Sequence, residues 1–266
     1  MQSIICFTSD FGMGDTWVGI CHAVIYKACP QARVVDLAHD VPPYDIRKAA
    51  AVAAAGVWQL PDAIHLVVVD PGVGGPRKDL CLVTAGGTVL VGPDNGVLLP
   101  ASWRSGGVSE AYAIQPEVLK FEGPLATFHA RDVLAPAAAA LACGIEPAAL
   151  GERIDAGRLA PPPFSQARRE GDVFVAESVD IDRFGSVRIS VSSDDLRSER
   201  VPDRVEMAFG HTVMEVPFRR TFSDVGEGEP VALVDSSGWL TLAVFKGSAA
   251  DRYGIEPGTP FRVRLL

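Results

Sequence analysis

No stretch of the 266 residues approaches the roughly 18 uninterrupted apolar residues that a membrane-spanning helix needs. Charges, prolines and glycines break every alanine-rich segment. The start, from Met1 to Phe7, has no cationic lead and only a short apolar run before Thr8-Ser9-Asp10, so no secretion signal is read and a cytoplasmic location is expected. Positive charge is scarce as well. With 24 Lys and Arg against 33 Asp and Glu, the formal charge of −9 opposes generic attraction to nucleic acid or anionic lipid, and neither is expected as a partner. Cysteines are few: Cys6, Cys21, Cys29, Cys81 and Cys143 are odd in number, lie in apolar stretches and lack C-x-x-C spacing. Reduced core thiols are expected rather than a disulfide framework or a zinc knot. H-E-x-x-H and G-x-S-x-G are also missing, which removes sequence support for zincins and nucleophile-elbow serine hydrolases.

What is present is a chain with 48 % hydrophobic and 21 % charged residues, enough apolar surface for a substantial core. Up to about residue 155, short apolar strands (4–8, 33–37, 64–69, 80–84, 88–91) alternate with helical stretches, the pattern of an α/β sheet covered by helices. Val18, Cys21, Ile25 and Ala28 recur every three or four residues on a helix that Asp15 can cap. Asp45 similarly caps a helix over 46–58, and residues 130–143 predict another that Gly144 ends. A mainly parallel sheet is expected. Pro161-Pro162-Pro163 cannot hold a helix and offers no N–H groups to a sheet, so residues 161–170 are read as a linker between an N-terminal domain (1–160) and a smaller C-terminal one (171–266). Beyond it, strand-like segments at 173–179, 186–191, 211–216, 230–234, 239–244 and 261–265 predict a small antiparallel β-barrel or sandwich.

Ligands of α/β sheets bind beyond the carboxyl ends of the strands, which makes polar residues just after apolar strands the first candidates. Thr8-Ser9-Asp10-Phe11-Gly12 offers a carboxylate for a ribose diol, or merely a turn or capping Asp. Asp70-Pro71-Gly72-Val73-Gly74-Gly75-Pro76-Arg77 combines an acid, a pliant backbone and a guanidinium, but its glycine spacing fits neither G-x-G-x-x-G nor a phosphate loop. Asp94, in Gly92-Pro93-Asp94-Asn95-Gly96, could simply cap the helix after it. His129 opens the Ala-rich helix, where the dipole favours a neutral imidazole able to accept a proton. His22, His39, His65 and His211 read as structural. A divalent-metal site built from Asp10, Asp15, Asp70, Asp94 and His129 is the competing assembly, and the fixed cation of Arg77 argues against it.

Taken together, Ser9-Asp10-Phe11-Gly12, Val41-Pro42-Pro43-Tyr44-Asp45, the turn from Asp70 to Arg77, Gly92-Pro93-Asp94-Asn95-Gly96, Phe128-His129-Ala130-Arg131-Asp132, Asp182-Arg183-Phe184-Gly185 and Ser236-Ser237-Gly238-Trp239-Leu240 resemble the S-adenosyl-L-methionine (SAM) hydroxide adenosyltransferases, relatives of fluorinase and chlorinase. The match runs in order over nearly the whole chain. The resemblance implies an N-terminal Rossmann-like domain, a C-terminal β-barrel, and a homotrimer whose sites lie between one subunit's N-terminal domain and its neighbour's C-terminal domain. It implies SAM as substrate, adenosine and methionine as products, and no cofactor or metal. Asp70, Arg77 and His129 then form the water-handling triad; the halogenating relatives carry a hydroxylated residue in place of His129. By the same matching, Asp10 holds the ribose hydroxyls, Tyr44 packs on the substrate, and Asp182 and Ser236 face the methionine ends. Val73, Phe184, Ser186 and Val244 complete the substrate-binding set. Ser186, where relatives often have asparagine, and Phe245-Lys246-Gly247, in place of an Asn-rich turn, depart from the family pattern at the adenine pocket.

The implied chemistry is in-line displacement at ribose C5′, with Arg77 supplying a positive field and Asp70 and His129 orienting the water and taking its proton. A SAM-dependent halogenase and a non-catalytic binder of SAM or adenosine remain as alternatives.

Overall fold

A computed structural model describes residues 4–119, 127–197, 199 and 201–266. The chain divides into two compact units, Met1–Pro163 and Phe164–Leu266.

In the first unit, β1 (Ile4–Ser9), β2 (Arg33–Ala38), β3 (Ile64–Val68), β4 (Asp79–Thr84), β5 (Val89–Pro93), β6 (Val108–Ile114) and β7 (Gly151–Arg153) build one sheet in the order β2-β1-β3-β5-β4-β6-β7. The first four in that order are parallel, whereas β4, β6 and β7 join through antiparallel ladders. The sheet is therefore mixed rather than mainly parallel. The reason is local: β4 and β5 are linked by a tight turn in which Thr84 N–H donates to Thr88 O and Gly87 N–H donates to Thr84 O, each at 3.0 Å, and no crossover helix fits in so short a link.

Helices α1 (Trp17–Ala28), α2 (Ile46–Gln59), α3 (Leu99–Trp103) and α4 (Ala135–Ala142) cover this sheet. Ile5, Phe7, Ile64 and Leu66 point to one face and pack with Val18, Cys21 and Ile25 of α1 and with the Ala-rich α4. Burying a side chain such as Phe7 contributes roughly 1.5–3 kcal/mol. His65 points to the opposite face, where Gly56 of α2 lies so close that an added Cβ would sit 3.2 Å from the imidazole and 2.5 Å from Leu37 Cδ1. Asp45 caps α2 as expected, its Oδ1 accepting the Lys48 N–H at 2.8 Å. Asp15 does not cap α1: Thr16 occupies the N-cap position without a side-chain hydrogen bond, and Asp15 is exposed. A π-helical turn, Ala130–Leu134, precedes α4. Pro136 sits in the first turn of α4 and supplies no N–H to the carbonyl four residues before it, which accounts for the widened turn. Gly144, at φ +91°, closes the helix.

In the second unit, β8 (Arg168–Glu170), β9 (Val173–Ile181), β10 (Val187–Ser192), β11 (Arg204–Phe209), β12 (Thr212–Pro217), β13 (Pro230–Val234), β14 (Trp239–Val244) and β15 (Pro260–Leu265) form an antiparallel sheet in the order β12-β11-β15-β9-β10-β14-β13, with β8 on β9. A bridge from Phe218 to Ala232 links the chain leaving β12 to β13, so the sheet nearly closes into a barrel around Ile189, Met207, Leu240 and Phe261. β8 lies inside the stretch read as linker. No helix among the described residues is long and apolar enough to cross a membrane.

The triproline segment is packed rather than free. Gly96 adopts φ +88°, and a Cβ there would fall 2.0 Å from Pro161 O. Gly96→Ala is expected to cost about 2–3 kcal/mol through strain and overpacking, read as a lower urea midpoint; an unchanged midpoint would refute this packing.

Candidate active site

Because β1 has β2 on one side and β3 on the other, the chain order reverses between β1 and β3, the place where doubly wound sheets open a crevice. Asp10 follows β1 and Asp70 follows β3, so both carboxylates emerge at that crevice. β4 runs antiparallel to β5 and its first residue, Asp79, pairs with Pro93 at the carboxyl end of β5. Asp79 thus joins the same sheet edge. His129 reaches it from the start of the π-helical turn before α4.

Local chain chemistry shapes the loop after β3. Asp70 Oδ1 accepts the Gly72 N–H at 3.1 Å, Gly75 N–H donates to Gly72 O at 2.9 Å, and Gly74 takes φ +77°, a region that favours glycine. The loop returns Arg77 onto Asp70, whose Oδ2 accepts from Nε at 2.8 Å and from Nη2 at 2.5 Å. The third nitrogen, Nη1, lies 3.1 Å from Asp79 Oδ1 as an ion pair. Asp79 Oδ2 in turn meets His129 Nδ1 at 2.7 Å. A continuous chain Asp70–Arg77–Asp79–His129 results, with side chains only 6, 10, 6 and 14 % exposed. Burial works against the guanidinium charge, but the Asp70 hydrogen bonds and the charges of Asp79 and Asp70 outweigh it and hold the Arg77 pKa above its ordinary value. His129 Nε2 is buried and has no hydrogen-bond partner among the described residues.

A cleft of about 730 Å³ opens beside this chain, lined by Asp10, Tyr44, Asp70, Val73 and His129. Phe11 meets Trp17 and Phe128 edge to face, with ring centroids 5.7 and 5.8 Å apart, and the three rings form its apolar wall. Asp10 Oδ2 accepts the Tyr44 N–H at 2.9 Å. Tyr44 adopts φ +70°, and its ring stands 72 % exposed at the cleft.

The second unit gathers the other predicted residues. Asp182, Phe184, Ser186 and Val244 line a cavity of about 570 Å³ together with Phe245, Lys246 and Gly247. Asp182 Oδ1 accepts the N–H groups of Phe184 and Ser186, each at 2.9 Å, and so fixes the loop that presents a 78 % exposed Phe184. Ser236 is not among the lining residues. It sits exposed in a turn held by Asp235, whose Oδ1 accepts from Ser237 and Trp239 N–H while Oδ2 accepts from Arg188 Nε at 2.6 Å.

The predicted site residues therefore fall into two sets, one in each unit. Asp70 and Arg77 touch directly, and His129 joins them only through Asp79, which the sequence reading did not single out. The available signal was a carboxylate heading the apolar strand Asp79-Leu80-Cys81-Leu82-Val83. Phe11, Trp17 and Phe128 were also passed over as lining groups. Asp94 caps no helix; its Oδ1 accepts the Ala160 N–H at 2.9 Å. The competing metal assembly does not form among the described residues. The only His, Cys, Asp and Glu group there with donor atoms clustered for one ion is His22, Asp36 and His39. Within that group His22 Nε2 is hydrogen-bonded to Asp36 Oδ1 at 2.9 Å, His39 Nε2 lies 3.0 Å from the same oxygen as an ion pair, and Ser9 Oγ meets His39 Nδ1 at 2.7 Å.

Residues 5–151 match the family model for the SAM hydroxide adenosyltransferase N-terminal domain, and residues 176–262 match that for the C-terminal domain. The chain is 42 % identical to the (R)-S-adenosyl-L-methionine hydrolase of Salinispora tropica, covering 97 % of each protein. It is 39 % identical to the enzyme of that name from Thermus thermophilus, over 98 % of this chain and 99 % of the relative. The fluorinase of Nocardia brasiliensis shares 27 % identity over 99 % and 97 %. Among solved structures, an uncharacterized conserved protein from Thermotoga maritima superposes with a TM-score of 0.87 at 31 % identity, covering 98 % and 99 %.

The thiols stand apart from this chemistry. Burial pushes Cys6 up to about 11 and Cys21 and Cys81 up to about 12, while Cys143 is exposed, contrary to the expectation of five core thiols. One thiol should react with Ellman's reagent in the native protein at neutral pH and five after denaturation; two or more fast native thiols would contradict this burial.

Proposed function

The chain belongs to the SAM hydroxide adenosyltransferase family, and from that premise we propose that it is an enzyme hydrolysing S-adenosyl-L-methionine to adenosine and L-methionine. The observation that carries the reading is the linkage of Asp70, Arg77 and His129, the last through Asp79, beside a cleft that Asp70 and His129 line, in a chain 42 % identical to a hydrolase of this substrate.

Water attacks ribose C5′ in line with the departing sulfur, so that an O–C bond forms as the C–S bond breaks and its electron pair returns sulfur to a neutral thioether. The positive sulfur is already an activated leaving group, departing as the neutral thioether of methionine, and the step calls for no metal or cofactor. Bulk water has a pKa of about 15.7, so its proton must be accepted as the attack proceeds. Asp70, Arg77 and His129 handle that water. Asp10 receives the ribose hydroxyls, Tyr44 and Val73 pack on the substrate, and the aromatic wall keeps bulk water from the reacting centre, where a dry setting favours the charge-cancelling transition state over separated ions.

The methionine and adenine ends fall to Asp182, Phe184, Ser186, Ser236 and Val244. These lie in the second unit; the homotrimer with inter-subunit sites rests on the family resemblance. The parallel strands β2-β1-β3-β5 support a Rossmann-like description of the first unit. Five unpaired cysteines support a cytoplasmic location.

Fluorinase kinship raises the halogenase alternative. Two carboxylates around one guanidinium disfavour a halide in this cleft, which supports water as the nucleophile.

Incubation with SAM in ¹⁸O-water should place the label on the 5′-oxygen of adenosine; unlabelled adenosine, or SAM bound without turnover, would refute hydrolysis. Arg77→Lys keeps the charge but loses the fork that spans Asp70 and Asp79, and kcat is expected to fall about 10²-fold. Undiminished turnover would remove Arg77 from the mechanism.

A further inference from the structure

We infer that Asp79 is a positioning residue of this site, holding the His129 proton on Nδ1 so that Nε2 is the atom that accepts the proton of the attacking water. The inference rests on the proposed hydrolysis and deepens it.

The geometry distinguishes the two candidate proton acceptors. Asp70 is already engaged: Oδ2 takes two N–H groups of Arg77 and Oδ1 takes the Gly72 N–H. His129 has one nitrogen engaged and one free. An ionised carboxylate only accepts hydrogen bonds, so the 2.7 Å contact between Asp79 Oδ2 and His129 Nδ1 requires the proton on Nδ1. In the neutral imidazole Nε2 then carries the lone pair, buried and without a partner among the described residues, in a side chain that lines the cleft. Asp79 is itself held. It is buried at the head of β4, and its other oxygen faces Arg77 Nη1 at 3.1 Å, so the carboxylate cannot turn away from the imidazole without breaking an ion pair.

Charge follows the same arrangement. With both carboxylates ionised, Arg77 charged and His129 in the neutral form that can accept a proton, the group carries a net −1 beside a cationic substrate. As water attacks C5′, its O–H bond breaks toward Nε2 and the C5′–S pair goes to sulfur. The imidazolium formed lies against Asp79, and the proton leaves to solvent after the products separate. Arg77 thus serves chiefly as the clamp between the two carboxylates.

The test pairs kinetics with spectroscopy on the full-length protein. Asparagine can present either its oxygen or its nitrogen to Nδ1, so Asp79→Asn frees the tautomer. Its kcat on SAM should fall about 10²-fold or more while KM stays within a few-fold, and Asp79→Glu should recover part of the loss. ¹⁵N NMR of the imidazoles, with His129 assigned through His129→Gln, should show the Nδ1-protonated form in the wild type and a mixture in Asp79→Asn. A wild-type His129 protonated on Nε2, or a folded Asp79→Asn variant with unchanged kcat, overturns the inference. If Asp79→Asn does not fold, the wild-type spectrum still decides. If the wild type binds SAM without hydrolysing it, the hydrolase reading fails while the spectrum still tests the Asp79–His129 arrangement.

Discussion

Arg77, gripped by two carboxylates, is the contact on which the N-terminal site depends. Leaving any of the three side chains unpaired in so buried a place would be costly, on the order of several kcal/mol for a lone ion, whereas the paired set is self-consistent. The loop from Asp70 to Arg77 has to return on itself, β4 has to start at Asp79, and the helix bearing His129 has to begin where its imidazole meets that carboxylate. Four residues from three elements are thereby tied into one unit. The glycines of the loop make the return possible, and the reversal of strand order between β1 and β3 supplies the opening into which the unit faces.

Much of the architecture was legible in the sequence because it rests on local rules. Asp45 and Gly144 punctuate helices as cap residues do, and Val18, Cys21 and Ile25 mark a buried stripe. What failed lay where residue type and periodicity do not fix the backbone path. The strands β6 and β7, at one end of the sheet, have patterns too short or too polar to announce themselves, and the antiparallel half of the sheet depends on pairing partners that hydrophobic periodicity does not specify. Asp15 has the right residue type at the right spacing, yet the backbone at Thr16 is already helical, so no cap forms.

The site shows the same division. Asp10, Asp70 and Arg77 could be found because they follow strands or sit in an unusual glycine turn. Asp79 could not, since a carboxylate opening a strand ordinarily reads as a boundary residue; only the fold places it between a guanidinium and an imidazole 50 positions away in the chain. The second unit's residues are named through family resemblance alone, and two carboxylates there organise backbone turns: Asp182 and Asp235 each spend an oxygen on two main-chain N–H groups, shaping the loops that carry Phe184, Ser186 and Ser236.

The widened turn between His129 and α4 ties the imidazole's aim to chain length. A residue of regular α-helix advances the side chain by about 100°, so straightening this turn through loss of a single residue would swing everything upstream of it around the helix axis by roughly that angle. His129 would then face away from Asp79 even with every side chain of the site retained. The angular phase of one helix therefore sets the Asp79–His129 contact as much as the imidazole itself does, and insertions or deletions there disturb that contact more than most substitutions in the apolar body of α4.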